Sequence, residues 1–350
     1  MTLSVMNGPL HAIGWDAGWA AAFADHHAAG LTPARVAVQH RGAYDLATEA
    51  GDVRASATPQ LVHDHRLPAV GDWVALNPDS GLVEDVLPRR TSISRKEVWD
   101  AAREQVLAAN VDLAFLVQAL PLDFNARRLE RYLAMAWESG ARPVVLLTKT
   151  DLVDDVDVYL EAAAAATLGS CPVIPVSVRT GAGLAEVRRL FAGNLTAVLL
   201  GSSGVGKSTL VNALLGEDRL ATQEVRDDDQ RGRHTTTRRE LIVLPGGGIV
   251  LDTPGIRELQ LWEADLDRTF ADVDTLAADC RFADCAHDHE PGCAVRDALA
   301  DGTLPAERWD SYRKLQRELA ALEVRRNALA RRDQVRHYKI RERASRQKRP

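Results

Sequence analysis

The stretch "GSSGVGKS", residues 201–208, lies between the apolar run "TAVLL" (196–200) and the helix-like "STLVNALLG" (208–216). It matches the pattern GxxxxGK[ST], in which glycines let successive backbone amides curve around phosphates. In such a loop Lys207 reaches the β- and γ-phosphate oxygens, and the Ser208 hydroxyl ligates magnesium. A simple glycine turn between a strand and a helix is the alternative. The predicted phosphate-binding residues are Gly201, Ser202, Ser203, Gly204, Val205, Gly206, Lys207, Ser208 and Thr209.

The downstream stretch "LIVLPGGGIVLDTPGI" (241–256) predicts a strand, a turn and a second strand that ends in "DTPG". At this distance after a phosphate loop, Asp252 is expected to hold magnesium through water, and the Gly255 amide to sense the γ-phosphate. The intervening "RGRHTTTRRE" (231–240) offers three threonine hydroxyls, one of which could complete the magnesium shell. Thr235 and Thr236 are our candidates, and the sequence does not decide between the threonines.

The residue after Gly255 bears on catalysis. Ras-like enzymes place a Gln there to orient the attacking water, whereas this chain has Ile256. An aliphatic side chain cannot orient water, so we expect the isolated protein to hydrolyse nucleotide slowly. His234, beside the threonines, is the candidate that positions the water, and Lys207 is the second catalytic candidate. A solvated loop histidine is the alternative for His234.

The stretch "TKTD" (148–151) follows the apolar run "RPVVLL" (142–147). The Asp151 carboxylate could accept hydrogen bonds from N1 and N2 of guanine, which adenine cannot supply, and the Lys149 stem could pack on the base. Thr148 stands where Asn is usual, and Thr150 completes the motif. Further on, "VSVRTGAGL" (176–184) predicts a loop whose amides near Ser177 contact the guanine carbonyl. These residues predict guanine specificity.

The chain changes its pattern along its length. Residues 34–95 alternate apolar and polar positions in short runs between Gly and Pro, which predicts a small antiparallel barrel or sandwich. From about residue 105, apolar runs alternate with helical stretches, which is typical of a parallel sheet with crossover helices. After Gly255 the pattern is helical. The domains we predict are an extension (1–33), a barrel (34–97), an α/β nucleotide-binding domain (98–262) and a helical domain with a basic tail (263–350).

The cysteines predict a metal site. Cys280, Cys285, His287 and Cys293 form C-x4-C-x-H-x5-C, whose three thiolates and one imidazole suffice for a closed tetrahedral zinc site. Buried free thiols are the alternative, and His289 is a substitute ligand that would have to displace His287. With no open coordination position, the zinc would be structural.

The base-reading motif precedes the phosphate loop, the reverse of the ordinary order. This order resembles the circularly permuted GTPases. Together with "QVLAANVD" (105–112), "GRHTTT" (232–237) and "CRFADCAHDHEPGC" (280–293), the chain resembles the ribosome small-subunit-dependent GTPase A family over roughly residues 34–320. The resemblance implies an N-terminal OB-fold barrel, a central circularly permuted α/β P-loop GTPase domain and a mainly helical C-terminal zinc domain. It also implies a role late in assembly of the small ribosomal subunit, and His287 rather than His289 as the zinc ligand.

The charge distribution is compatible with a nucleic-acid partner but does not by itself indicate one. The net charge of −6 excludes a uniformly basic coat, yet residues 325–350 are dense in Arg and Lys. That tail is either a solvated helix or a phosphate-binding segment. At the predicted end of the barrel, five side chains could contact RNA, although a barrel that only packs is the alternative. They are Arg89, Arg90, Arg95, Lys96 and Trp99.

Three functions compete. The first is a GTPase, with Mg²⁺ and one structural Zn²⁺, whose partners are GTP or GDP and the small ribosomal subunit with its rRNA. A metabolic P-loop kinase would not need "TKTD", and a passive RNA-binding zinc protein would not need the phosphate loop. No secretory leader and no apolar run long enough for a membrane span are evident, so we expect a cytoplasmic protein without a membrane partner. We also expect it to be a monomer.

Overall fold

The computed structural model describes residues 8–96, 104–220, 240–252, 265–321 and 323–324. The chain divides into two compact units. One comprises Met1–Ser94 with Val106–Leu259, and the other comprises Arg95–Gln105 with Gln260–Pro350. Among the described helices, none has the length and apolar character to cross a membrane.

The N-terminal strands close into a five-stranded barrel in the order β1-β2-β3-β5-β4, and β4 pairs back onto β1. Its strands are β1 (Thr32–Gln39), β2 (Tyr44–Thr48), β3 (Gly51–Ala57), β4 (Trp73–Asn77) and β5 (Leu82–Val86), and helix α4 (Pro59–His63) connects β3 to β4. Apolar residues such as Val36, Leu46 and Val83 are completely buried. A register shift between Val36 and Val38 bends β1, as bulges do where a sheet must curve. The predicted N-terminal barrel is confirmed.

The segment before the barrel packs on it through aromatic side chains. It forms the short helices α1 (Pro9–Ala12), α2 (Ala17–Ala22) and α3 (Ala24–Ala28). The Asp16 carboxylate begins α2 by accepting the Trp19 amide proton at 2.8 Å. Trp15 and Trp73 of β4 make an edge contact with ring centroids 4.6 Å apart, and Trp19 and Phe23 belong to the same buried cluster. The extension is therefore part of the barrel's core.

The central part of the sheet is parallel apart from β12, in the order β10-β9-β8-β11-β13-β12. Its strands are β8 (Leu113–Ala119), β9 (Arg142–Thr148), β10 (Val173–Pro175), β11 (Thr196–Leu200), β12 (Glu240–Val243) and β13 (Ile249–Asp252). Helices α5 (Ala126–Glu138), α6 (Asp157–Thr167), α7 (Leu184–Arg189) and α8 (Lys207–Leu215) lie between strands. Every residue of β8 and β11 is buried, as expected for parallel strands covered on both faces. The predicted α/β layout is confirmed.

The barrel and the central sheet are continuous. Strand β12 pairs with β1 at Glu240 and Val38, so their strands form one eleven-stranded sheet. The buried Arg35 guanidinium of β1 donates to carbonyls of Ile13, Gly71 and Asn110 and, at 3.0 Å, to the Thr196 hydroxyl of β11. Burial lowers the pKa of Arg35 to about 10. This one side chain joins the extension, the barrel and the strand that leads to the phosphate loop.

The strands β6 (Ser92–Lys96) and β7 (Glu104–Ala109) form a separate two-stranded sheet. The C-terminal unit is helical in its described residues 265–321, as predicted. Its helices are α9 (Leu266–Thr269), α10 (Ala271–Ala278), α11 (Ala294–Asp301) and a last helix over residues 306–321. Phe270 is completely buried, the Arg308 guanidinium lies 4.8 Å from its ring, and Arg308 pairs with Asp272 at 2.5 Å.

Candidate functional site

The phosphate loop lies between the end of β11 and the start of α8. A Cβ at Gly201 would lie 2.4 Å from the Val117 carbonyl oxygen, so only glycine fits where the loop leaves the sheet. Gly206 has a φ of +93°, which other residues rarely adopt, and directly precedes α8. The Lys207 ammonium donates to the carbonyls of Gly201 (2.8 Å) and Ser202 (2.5 Å), so the lysine side chain folds back over the loop. The first backbone amides of a helix have no partner within the helix and can bind an anion, and a lysine at the same place adds a positive charge.

The "TKTD" loop is attached to the phosphate loop by two adjacent residues. The buried Thr148 hydroxyl donates to the Val205 carbonyl at 2.6 Å, and the Lys149 ammonium donates to the Gly204 carbonyl at 2.9 Å. Lys149 has a φ of +57°, a left-handed conformation that turns the loop sharply after β9. Thr148 therefore holds the two loops at a fixed spacing, although Asn is usual at this position.

Asp151 connects the same loop to the "VSVRTG" loop. Its Oδ1 accepts a 2.6 Å hydrogen bond from the Ser177 hydroxyl, and its Oδ2 accepts one of 2.6 Å from Nε of Arg179. These two bonds to the ionised form, that of Ser177 foremost, hold the pKa of the Asp151 carboxyl below its ordinary value. The carboxylate is thus charged and oriented, as a hydrogen-bond acceptor for a base must be.

The structure brings most of the predicted nucleotide-binding residues to one edge of the sheet. Thr148 and Lys149 contact the loop of residues 201–208 directly, and Asp151 of the "TKTD" loop is hydrogen-bonded to Ser177. The strand β13, the parallel neighbour of β11, ends at Asp252. His234, Thr235, Thr236 and Gly255 lie outside the described residues, as do Thr237 and Ile256. The roles assigned to all of these residues stay predictions.

The cysteine cluster has the spacing of a tetrahedral metal site. Nδ1 of His287 lies 3.5 Å from Sγ of Cys280 and 3.4 Å from Sγ of Cys293, and those two sulfurs are 3.9 Å apart. With Cys285, all four ligand atoms lie within 4.8 Å of one another. Zinc bonds of about 2.3 Å to sulfur and about 2.0 Å to nitrogen imply tetrahedral edges of about 3.8 Å and about 3.5 Å. The distances among Cys280, His287 and Cys293 therefore fit a metal ion of zinc's size, and Cys285 lies near enough to be the fourth ligand.

Glu290 organises the turn that carries His287, a role that our sequence analysis missed. Its carboxylate accepts the backbone amide protons of Ala286 at 3.1 Å, Asp288 at 3.0 Å and His289 at 3.0 Å. His287 itself has a φ of +61°, which needs such support. Hydrogen bonds from its own amide and from these three neighbours lower the pKa of Glu290 to about 2. The only sign of this role in the sequence is that Glu290 lies within the segment that carries the candidate metal ligands.

Two of the arginines expected to face RNA are engaged within the chain. Arg89 donates to both carboxylate oxygens of the buried Asp72, at 2.8 Å and 2.7 Å. Arg90 pairs with Asp16 at 2.5 Å and lies 4.0 Å from the Trp19 ring centroid. Arg89 therefore stabilises the barrel and Arg90 attaches the extension to it, and contact of these two arginines with RNA stays a prediction. Trp99 and the side chains of Arg95 and Lys96 lie outside the described residues.

A family model described as RsgA GTPase matches residues 86–262. The chain belongs to this family. RsgA GTPases hydrolyse GTP, so this chain is a GTP hydrolase, as predicted from the sequence.

Relatives of the RsgA family match almost the whole chain. The protein named small ribosomal subunit biogenesis GTPase RsgA from Opitutus terrae is 49% identical over 330 residues, which cover 89% of this chain and 90% of that protein. The protein of the same name from Streptomyces coelicolor is 46% identical, with 95% and 92% covered.

Solved structures agree with the RsgA architecture. YjeQ from Thermotoga maritima is similar with a TM-score of 0.63 and 26% identity, over 83% of this chain and 99% of that one. YloQ, described as a circularly permuted GTPase, has a TM-score of 0.58 at 24% identity, over 83% and 96% of the two chains, and supports the fold alone. The predicted permutation of the central domain is confirmed.

Proposed function

We propose that this GTPase acts in small ribosomal subunit biogenesis: it binds the subunit in its GTP form, hydrolyses GTP faster there and leaves with GDP. The observation that carries the nucleotide part is the attachment of the "TKTD" loop to the phosphate loop through Thr148 and Lys149. It makes the guanine reader and the phosphate cradle one site. The ribosomal part is supported by the names of the relatives, which are biogenesis factors of the small subunit.

Each part of the nucleotide has its own group of residues. Asp151 accepts the N1 and N2 protons of guanine, Lys149 packs on the base, and Lys207 leaves its two loop carbonyls to contact the β- and γ-phosphates. Magnesium, when bound, neutralises charge that develops on the phosphates, and Ser208, Asp252 and one of Thr235 and Thr236 are the residues that would hold it. The helix start at Lys207 adds amides that point at the same anion.

The attacking water lacks the usual glutamine, because Ile256 occupies that position. We propose that His234 orients the attacking water once the subunit fixes the segment around the threonines. A closed, ordered segment completes such a site and excludes bulk water. The subunit would thereby act as the activator of hydrolysis.

The C-terminal unit would hold one structural zinc through Cys280, Cys285, His287 and Cys293. The tetrahedral spacing of the ligand atoms supports this assignment. Four protein ligands leave no position for substrate, so the zinc would stabilise the fold. The basic residues 325–350 are our candidates for rRNA phosphate contacts, and the protein would work as a cytoplasmic monomer.

The test is GTP turnover by the purified protein with and without small ribosomal subunits, in the presence of excess ATP. We expect slow turnover alone, marked acceleration by subunits and no inhibition by ATP. Asp151→Asn is the control for the base, and its GTP affinity should fall by more than about tenfold because an amide donor then faces guanine donors. Inhibition by ATP would favour a kinase-like site, and turnover that subunits leave unchanged would refute the ribosome-activated mechanism.

A further inference from the structure

The carboxylate that would read guanine already has a partner within the chain. Nε of Arg179 donates to Oδ2 of Asp151 at 2.6 Å, and Nη2 of the same side chain lies 3.4 Å from the Asp151 carbonyl oxygen. The Ser177 hydroxyl takes the other carboxylate oxygen. Only 10% of the Asp151 side chain is exposed, whereas 71% of the Arg179 side chain is. The arginine therefore covers the carboxylate from the solvent side, the direction from which a base must come.

The arginine and the base present the same chemistry to this carboxylate. C2 of guanine and its three nitrogens N1, N2 and N3 form a guanidine fragment, and the N–H groups of N1 and N2 point along one edge. An arginine guanidinium offers the same pair of N–H donors in one plane, with a positive charge in addition. A carboxylate built to accept the guanine edge consequently also accepts a guanidinium.

We propose that Arg179 is an internal competitor of guanine for Asp151 and so sets the affinity of the site for guanine nucleotides. This inference rests on the proposed role of Asp151 as the guanine reader. On binding, the nucleotide exchanges the guanidinium for the guanine edge, while the Ser177 hydroxyl remains on Oδ1. The arginine is then free in solvent, which its exposure already allows.

The exposure of Arg179 limits the size of the effect. Exposed ion pairs stabilise proteins only slightly, by an amount that corresponds to a factor of up to about five in an equilibrium constant. The competition should therefore weaken guanine binding by about two- to fivefold without abolishing it. It should also depend on salt, because screening weakens an exposed ion pair as the Debye length falls from about 10 Å at 0.1 M to about 3 Å at 1 M.

Adenine provides the internal control. Its corresponding edge has no pair of N–H donors, so removing the arginine exposes a carboxylate that adenine cannot use. A general electrostatic role for Arg179 would instead affect both nucleotides equally, because the lost positive charge would weaken attraction to the phosphates of either one. The two explanations predict changes of opposite sign for GDP.

The experiment is a titration with fluorescent mant-GDP and mant-ADP of the parent protein, Arg179→Ala, Arg179→Lys and Arg189→Ala. Arg189 is an exposed arginine in the last turn of α7 and matches the charge change. We expect Arg179→Ala to bind mant-GDP about two- to fivefold more tightly than the parent at 0.1 M salt, with a smaller ratio at 1 M. Arg179→Lys retains the competing charge and Arg189→Ala lies elsewhere, so both should bind as the parent does.

Equal or weaker mant-GDP binding by Arg179→Ala would overturn the competition. Weaker binding of both nucleotides would indicate a general electrostatic role, and weaker binding of mant-GDP alone would indicate a direct contact of the arginine with guanine. A matching gain in mant-ADP binding would overturn it as well. The failure of the proposed function looks different: a parent protein with no preference for mant-GDP over mant-ADP would show that Asp151 does not read guanine.

Discussion

Replacement of Thr148 by valine tests whether one hydroxyl holds the base loop against the phosphate loop. Valine has nearly the shape of threonine, so Thr148→Val keeps the packing of this buried residue and removes its donor. The hydroxyl has one proton and two carbonyls within reach, Val205 at 2.6 Å and Gln118 at 3.3 Å. The shorter contact is the hydrogen bond, and it joins residues 57 positions apart.

The expected magnitude follows from the burial of this bond. A buried carbonyl that loses its partner costs about 1–3 kcal/mol, and a single neutral hydrogen bond belongs in the lower part of that range. We expect the free energy of unfolding to fall by about 1–2 kcal/mol. Because the loops would then have to be ordered by the nucleotide, the dissociation constant for GDP should rise by up to about 5- to 30-fold.

The assay combines denaturant unfolding without nucleotide and titration with mant-GDP. Thr148→Ser is the matched control, since it keeps the hydroxyl and loses only a methyl group, and its GDP affinity should stay close to that of the parent. If Thr148→Val and Thr148→Ser bound mant-GDP equally, the hydroxyl would not be the tether. A loss of stability in Thr148→Val without any loss of affinity would likewise refute the link between the two loops.

Two further predictions concern the metal site and the water. Glu290→Ala should weaken zinc retention against a chelator by about 10- to 100-fold, because the turn that carries His287 loses its hydrogen-bond acceptor. Asp284 is an exposed acid of the same segment, and Asp284→Ala should retain zinc as the parent protein does. Since the pKa of Glu290 is lowered from 4.5 to about 2, its ionised form favours the fold above pH 4.5, and this contribution disappears as the pH falls from 4.5 to about 2. His234→Ala should keep mant-GDP and subunit binding but lose most of the subunit stimulation of GTP turnover, and full stimulation would assign the water to another group.

The features of this protein that could be predicted are those formed by residues close together in the sequence. A phosphate is bound by amides of one loop, so "GSSGVGKS" between an apolar strand and a helix suffices to predict it. The candidate metal ligands likewise fall within fourteen residues, 280–293, and their number and residue types predict a closed site. The order of "TKTD" before the phosphate loop predicts the permutation, because the order of motifs is itself a property of the sequence.

The arginines show what composition leaves open. The pair Arg89 and Arg90 lies in a basic stretch, which favours nucleic acid when only neighbours in sequence are considered. Their carboxylate partners, Asp72 and Asp16, are 17 and 74 positions away. Whether an arginine is paired with a carboxylate of the same chain depends on these distant residues, and no local pattern reveals them.

The sequence by itself therefore determined the order of the GTPase motifs, and it predicted the phosphate loop and the four candidate metal ligands. Tertiary structure decided how the motifs work together: it brought Thr148 to Val205, Arg179 to Asp151, and β4 to β1 to close the barrel. Arg35 is the clearest case, since its acceptors include Ile13, Asn110 and Thr196, up to 161 positions away. Contacts of this kind form because a buried polar group must find partners wherever the folded chain supplies them, and that supply is a property of the whole fold.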